Sequence, residues 1–226
     1  MAIFISVLCS LTLGYLLGSI SNGVLIGKIF YGIDIREKGS HNAGGTNTGR
    51  VLGKKAGLMT IILDVLKTII AVWSTLFICR IEAINNLIVI DASYYAYIAG
   101  LGAAIGHTFP IFFKFKGGKA VACLGGICIA TNWIITLIGL VIFMLVLVIS
   151  KYVSLSSIVG SISIGVLSYI PFVRQYGMIF KMNGDMYFSL LMTFLAIYVI
   201  IRHYSNIIRL FNHTESKIKW LGKNNN

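Results

Sequence analysis

Long apolar runs broken by short polar stretches dominate this chain and leave it few ways to fold. The runs cover 3–27, 56–79, 84–106, 120–149, 155–173 and 185–201, each near or above the roughly 20 residues that carry a helix across a bilayer. Within lipid every backbone N–H and C=O needs a partner inside the protein, and runs of this length meet that need as helices. The polar stretches are too short to hold a soluble domain, so residues 1–226 read as a single all-α bundle in the membrane. A mean hydropathy of +0.88 with only 12% charged residues agrees.

The run 120–149 is too long for one span and carries Thr131-Asn132-Trp133 near its middle, a polar turn with an interfacial aromatic. Splitting it gives seven spans. With the N-terminus outside, seven spans put 28–55, 107–119, the Lys151 turn and 202–226 on one face. That face collects Lys28, Arg36, Lys38, Arg50, Lys54, Lys55, Lys114, Lys116, Lys119, Lys151, Arg202, Arg209, Lys217, Lys219 and Lys223. The other face keeps Arg80, Arg174 and Lys181. The positive-inside rule then makes the chain a seven-helix polytopic membrane protein, N-terminus outside and C-terminus cytoplasmic. Much of the net charge of +12 is this asymmetry, and no nucleic-acid partner is needed to explain it. No Lys or Arg precedes Lys28, so the first run is expected to stay as a helix rather than be cleaved as a signal peptide.

Cys9, Cys79, Cys123 and Cys128 lie in or at the ends of apolar stretches without Cys-x-x-Cys pairing, so they read as small helix residues. Gly14-x-x-x-Gly18 and Gly23-x-x-x-Gly27 read as close helix-packing sites. Ser154, Ser156, Ser157, Ser161, Ser163 and Ser168 crowd the sixth span. Interhelical hydrogen bonding is expected of most of them, but Ser154 sits at the cytoplasmic edge among the polar loops. Asp64 and Lys67 share a helix face, with Asp64 roughly 12 Å into its span at 1.5 Å per residue. An ionisable residue at that depth suggests function; a locally neutralised pair explains it equally well.

Three polar segments carry the chemistry. The first contains Ser40, Asn42, Gly44, Thr46, Asn47 and Arg50 in a glycine-dense stretch. Glycines let backbone N–H groups converge, the side chains add donors, and a following helix adds its positive dipole end, which is how proteins hold phosphate. The second runs from Gly106-His107 to Ala120. Its alternating phenylalanines and lysines suit the membrane interface, and Gly117-Gly118-Lys119 opens the next helix as a further backbone-plus-lysine anion site. The third runs from Arg202 and His203 through Asn206 and Arg209 to Glu215; continued as a helix, Arg202, Asn206 and Arg209 share a face. A basic, donor-rich surface at the membrane suits a phosphorylated substrate with a lipid co-substrate.

Several chemistries are excluded. Gly44-x-x-x-x-Gly49 is followed by Arg50-Val51, so the Walker pattern fails. No His-x-x-x-x-Asp and no Gly-x-Ser-x-Gly occurs, and His41, His107, His203 and His213 lack metal-ligand spacing.

The ordered motifs resemble those of the bacterial acyl-phosphate:glycerol-3-phosphate acyltransferase family. Gly39-Ser40-His41-Asn42-Ala43-Gly44-Gly45-Thr46-Asn47-Thr48-Gly49-Arg50 is similar to its Gly-Ser-Gly-Asn-x-Gly-Ala-Thr-Asn-x-x-Arg. Gly106 to Ala122 resembles its Gly-His-x-x-Pro stretch ending in Gly-Gly-Lys-Gly-Val-Ala. Arg202 to Glu215 resembles its Arg-His-x-x-Asn-Ile-x-Arg-Leu stretch with a downstream Glu. Departures are His41, Ala120 and His213 where the family has Gly, and Gly45 where it has Ala. His41 is expected to crowd the anion loop.

The resemblance implies acyl transfer from acyl phosphate to the sn-1 hydroxyl of glycerol 3-phosphate at the cytoplasmic face of a bacterial plasma membrane. It implies catalytic roles for His203, Asn206, Ser154 and Lys119. Substrate binding falls to Ser40, Asn42, Gly44, Thr46, Asn47, Arg50, His107, Gly117, Gly118, Arg202 and Glu215. Neither metal, cofactor nor obligatory protein partner is expected. The proton acceptor is His203 or a substrate phosphate oxygen. A transporter or channel for a phosphorylated metabolite is the competing class, and it calls for a polar path through the bilayer.

Overall fold

The computed structural model describes residues 2–218, and among them it is helical throughout, with a lone bridge pair, Asn132 and Met178, in place of any strand. Lys219, Lys223 and the rest of the C-terminal tail lie outside the described residues. The chain resolves into two compact units.

The first unit comprises the chain up to Thr131 together with Ile179–Asn183. Its helices are α1 (Ala2–Gly18), α2 (Asn22–Tyr31), α3 (Gly45–Leu52), α4 (Lys54–Cys79), α5 (Glu82–Asn85), α6 (Ala92–Thr108) and α7 (Val121–Thr131). Helix α1 packs on α6 through its glycines. A Cβ on Gly14 would lie 2.0 Å from the Ala99 carbonyl oxygen, and one on Gly18 would lie 2.2 Å from that of Ala103. Only hydrogen at these positions lets the two backbones meet, as small-residue packing in lipid requires. Gly23 and Gly27 instead meet the backbone of the polar loop, at Ala43 and Ile33. Val72, Leu76, Tyr95, Ala99, Ala103 and Ile127 are fully buried.

The first apolar run therefore breaks at Ser19–Ser21, and Lys67 of α4 donates to the Ile20 carbonyl at 2.6 Å. A broken helix inside a membrane needs such a donor for its orphaned carbonyl.

The second unit comprises Asn132–Met178 and the chain from Gly184 onward. It holds α8 (Trp133–Ser150), α9 (Val153–Leu167), α10 (Pro171–Tyr176), α11 (Met186–Arg202) and α12 (Tyr204–Phe211). The break expected at Thr131-Asn132-Trp133 is present. Asn132 caps α8, its Oδ1 accepting from Ile135 N at 3.0 Å and its Nδ2 donating to the Val173 carbonyl at 2.8 Å. Ile135, Phe188, Met192, Leu195 and Val199 form the buried core. Little of α8 is buried although it is apolar all round, which is the pattern of a lipid-facing helix.

Two expectations need correction. The serines of α9 do not reach to other helices: Ser156, Ser157, Ser161 and Ser163 each donate to the carbonyl four residues back, and Ser168 to that of Gly165. Bonding within its own helix satisfies a buried hydroxyl without needing a partner helix in register. The segment 202–209 is not one continuous helix either, because α11 and α12 meet at 58°. The bend falls at His203, whose Nδ1 donates to the Val199 carbonyl at 2.7 Å, an acceptor shared with its own backbone N–H at 3.1 Å.

Ile3–Tyr31, Lys54–Cys79, Ala92–Phe113 and Trp133–Ser150 are long and apolar enough to cross a membrane, with the bent pair Met186–Phe211 as a fifth. Val121–Thr131 and Val153–Leu167 are apolar but shorter. The chain is a multi-pass helical membrane protein.

Candidate functional site

In the first unit the opening polar segment folds around Asn47, which is 1% exposed. Its Oδ1 accepts from Ser40 N at 2.7 Å, and its Nδ2 lies within hydrogen-bond reach of the carbonyls of Ile35, Lys38 and Asn42. Asn42 Oδ1 accepts from Gly44 N at 2.9 Å, setting Gly44 as the N-cap of α3. Asn42, Gly44 and Asn47 thus spend these groups on the loop's own shape.

What remains outward is a set of donors. Ser40, Thr46 and Arg50 are exposed, and Thr46 and Arg50 stand one turn apart on α3. Arg50 makes no hydrogen bond or ion pair among the described residues, which leaves its guanidinium free for an anion.

Arg36, which the motif reading passed over, ties this segment to the second one. Its Nε and Nη2 grip Asp34 at 2.9 and 2.7 Å, while Nη1 donates to the carbonyls of Phe113 (2.7 Å) and Lys116 (3.1 Å). The Arg36 hydrogen bond holds the Asp34 carboxyl down at about 2. The Asp-x-Arg spacing was the available signal, since such a pair closes on itself across a short turn.

The second segment departs from its expected role. Gly117 N donates to the Thr108 carbonyl at 3.1 Å and Gly118 N to that of His107 at 2.9 Å. Those two amides are therefore taken, and α7 begins at Val121 rather than at Lys119. Lys119 is half-buried beside them. Phe109, Phe112 and Phe115 are exposed together with Lys114 and Lys116, which fits the interface. His107, 6% exposed, lies in an interior cluster. Its Nδ1 is 3.1 Å from Lys67 Nζ, Lys67 Nζ is 2.8 Å from Asp64 Oδ1, and Asn22 Nδ2 donates to the same oxygen at 2.9 Å. Asn22 was hidden inside an apolar run.

In the second unit, Glu215 gathers three side chains. Its Oε1 accepts from Ser154 Oγ at 2.9 Å and from Asn206 Nδ2 at 2.7 Å, and its Oε2 accepts from Arg209 Nε at 2.7 Å. Burial raises the affinity of this carboxyl for a proton, but the three hydrogen bonds outweigh burial and the pKa falls below the ordinary glutamate value. Arg209 is thus an arginine of this cluster, and Arg202 ends α11 just before the bend. Because a carbonyl can only accept, the His203 bond to Val199 puts a proton on Nδ1 and leaves Nε2 as the acceptor of the neutral ring.

All three positions where the resembled motifs carry glycine and this chain does not have positive φ: His41 (57°), Ala120 (61°) and His213 (56°). Glycine there is a backbone demand. His41 meets it with its ring exposed and Nδ1 2.9 Å from the Arg36 carbonyl, so it does not crowd the loop as expected.

Fold and polar clusters together define a multi-pass α-helical membrane protein whose polar loops are rich in basic and hydrogen-bond-donating side chains. The model of the glycerol-3-phosphate acyltransferase family matches residues 8–213, and the chain belongs to that family. It is 42% identical over 214 residues to the glycerol-3-phosphate acyltransferase of Geobacillus kaustophilus (strain HTA426), covering 94% of this chain and 96% of that one. It is 43% identical over 213 residues to that of Staphylococcus haemolyticus (strain JCSC1435), covering 93% and 97%. Among solved structures it resembles PlsY (YgiH), an integral membrane glycerol 3-phosphate acyltransferase, at 31% identity over 96% of this chain and 97% of that one. The TM-score is 0.79 for the glycerol 3-phosphate form and 0.77 for the lysophosphatidic acid form. The competing expectation of a transporter finds no support in these matches.

Proposed function

We propose that this chain transfers a fatty acyl group from acyl phosphate to the sn-1 hydroxyl of glycerol 3-phosphate, releasing 1-acylglycerol 3-phosphate and phosphate. The observation that carries the reading is the pair of ligands named in the solved relative's two forms. Glycerol 3-phosphate and lysophosphatidic acid differ by one acyl group, so they bracket a single transfer. An acyl phosphate is already activated, and catalysis then consists of positioning two anions and stabilising charge as it develops. Arg50, Thr46, Ser40 and Lys119 are assigned to phosphate in the first unit. Ser154, His203, Asn206, Arg202 and Glu215 are assigned to substrate and transition state in the second. Asn42, Gly44, Asn47, His107, Gly117 and Gly118 serve by shaping the loops that carry those donors.

The hydroxyl attacks directly, without an acyl-enzyme. Ser154 is the nucleophile a two-step route would need, and its single proton already goes to Glu215. A carboxylate with lowered proton affinity is a poor general base. The proton of the attacking hydroxyl goes to a substrate phosphate oxygen, with His203 orienting substrate. Seven spans are proposed, with α7 and α9 completing the crossing beside the five longer ones, N-terminus outside, C-terminus and polar segments cytoplasmic, as the basic residues favour.

The test is phosphate release by purified protein in detergent given acyl phosphate alone and then with glycerol 3-phosphate. Release that needs both substrates supports direct transfer. A stoichiometric burst with acyl phosphate alone, lost in Ser154→Ala, establishes the acyl-enzyme route instead.

A further inference from the structure

The proposed reaction leaves Asp64 and Lys67 without a role, although their side chains are only 2% and 5% exposed in the interior of α4. A lysine ammonium has three N–H donors and no lone pair. The three acceptors around Lys67 Nζ are Asp64 Oδ1 at 2.8 Å, the Ile20 carbonyl at 2.6 Å and His107 Nδ1 at 3.1 Å. His107 Nδ1 must therefore offer its lone pair, and the neutral ring carries its proton on Nε2. Asp64 Oδ1 lies 3.6 Å from the same Nδ1, too far to claim it.

The opposite edge of the ring faces Gly118, where a Cβ would stand 2.0 Å from Nε2. Gly118 N donates to the His107 carbonyl at 2.9 Å. Ring and backbone of His107 together clasp the residue that precedes Lys119.

We infer that Lys67, neutralised by Asp64, is a positioning residue: it locks His107 in the Nε2–H tautomer and so fixes the segment Gly117-Gly118-Lys119. The low dielectric around the pair gives a charged donor more orienting force than a neutral one has. A pair serving only to neutralise itself is replaced without loss by two neutral groups of similar shape. A pair that sets a tautomer is not.

The tautomer arm stands alone, whereas the kinetic arm rests on the phosphate role proposed for Lys119. In the wild-type protein with ¹⁵N-labelled histidine, assigned through His107→Gln, the His107 signals should be those of a protonated Nε2 and a bare Nδ1 at neutral pH. An Nδ1–H tautomer or an imidazolium there overturns the inference, whatever the enzyme turns over. The isoelectric pair Asp64→Asn/Lys67→Met avoids stranding a buried charge. It should mix the tautomers and lower kcat/KM for acyl phosphate about 10–100-fold, the scale of a sub-ångström to ångström misplacement. In a Lys119→Gln background the same pair should cost less than about twofold, because what it positions is already gone. Full kcat/KM in the pair variant, or an equal loss in both backgrounds, contradicts the positioning role. If the pair variant does not fold, the wild-type spectrum still decides.

Discussion

At the scale of residues, the polar groups divide into those spent on the fold and those that face outward. Arg50 is unengaged among the described residues, so Arg50→Ala should lower kcat/KM by at least about 10²-fold, as loss of a charge-assisted anion contact does in catalysis. Arg50→Lys should not restore it, since an ammonium lacks the planar fork. Steady-state kinetics check both, and near-normal rates would remove the first motif from the site. His203→Asn and His203→Gln test the proton acceptor. At least one should keep appreciable turnover if a substrate phosphate takes the proton, whereas a deleted general base loses ~10²–10⁴-fold in both. Asp34 gives a pH-dependent check on stability. Its folded pKa of about 2 lies below the ordinary 3.8, so its stabilisation is complete above about pH 4 and is lost as pH falls toward 2. Thermal unfolding should show Asp34→Asn less stable than wild type at pH 6, with the gap closing in acid. Equal unfolding temperatures at pH 6 would show that the Arg36 clasp contributes nothing. The donors of the three segments were legible in the sequence because residue type names them. Their allocation was not. That Asn47 turns inward to four backbone partners, or that Glu215 joins Ser154 to Arg209, depends on chain paths that residue type does not encode.

At the scale of elements, hydropathy located the apolar helices well, because run length and bilayer thickness are one constraint. The breaks were legible only where composition marks them. Thr131-Asn132-Trp133 announces a break with a capping side chain. The bend at His203 and the gap at Ser19–Ser21 do not, since the contacts found there, a ring bonded back to Val199 and a lysine reaching over from α4, are not marked by local composition. The Gly14-x-x-x-Gly18 reading held as α1–α6 packing. Gly14→Val should accordingly prevent folded expression, measured as loss of monodisperse protein after detergent extraction, because the new Cβ has only the Ala99 backbone to displace. The positive-φ departures predict the reverse sign. Ala120→Gly should raise the unfolding temperature, by about 1 kcal/mol of stability, with smaller gains for His41→Gly and His213→Gly because histidine tolerates this region better than alanine. A fall in stability for all three would mean that these side chains contribute more than their backbone strain costs.

At the scale of the molecule, topology and chemistry are the two claims to test. In a background lacking Cys9, Cys79, Cys123 and Cys128, a cysteine at Asn183 should react with an impermeant reagent added to intact cells, and one at Ser216 should not. Labelling of both would place the third polar segment on the wrong face for a cytoplasmic substrate. The chain resolves into two compact units, each assembled from two stretches of sequence, a division that apolar runs of similar length in both do not mark. The most direct measurement is of turnover itself. Purified protein in micelles is given acyl phosphate and glycerol 3-phosphate, and both inorganic phosphate and the acylated product are followed. Equimolar phosphate and 1-acylglycerol 3-phosphate are expected, formed only when both substrates are present. Acylation from a different activated donor with acyl phosphate inert, or an acyl group delivered to the sn-2 hydroxyl, would contradict the proposed transfer.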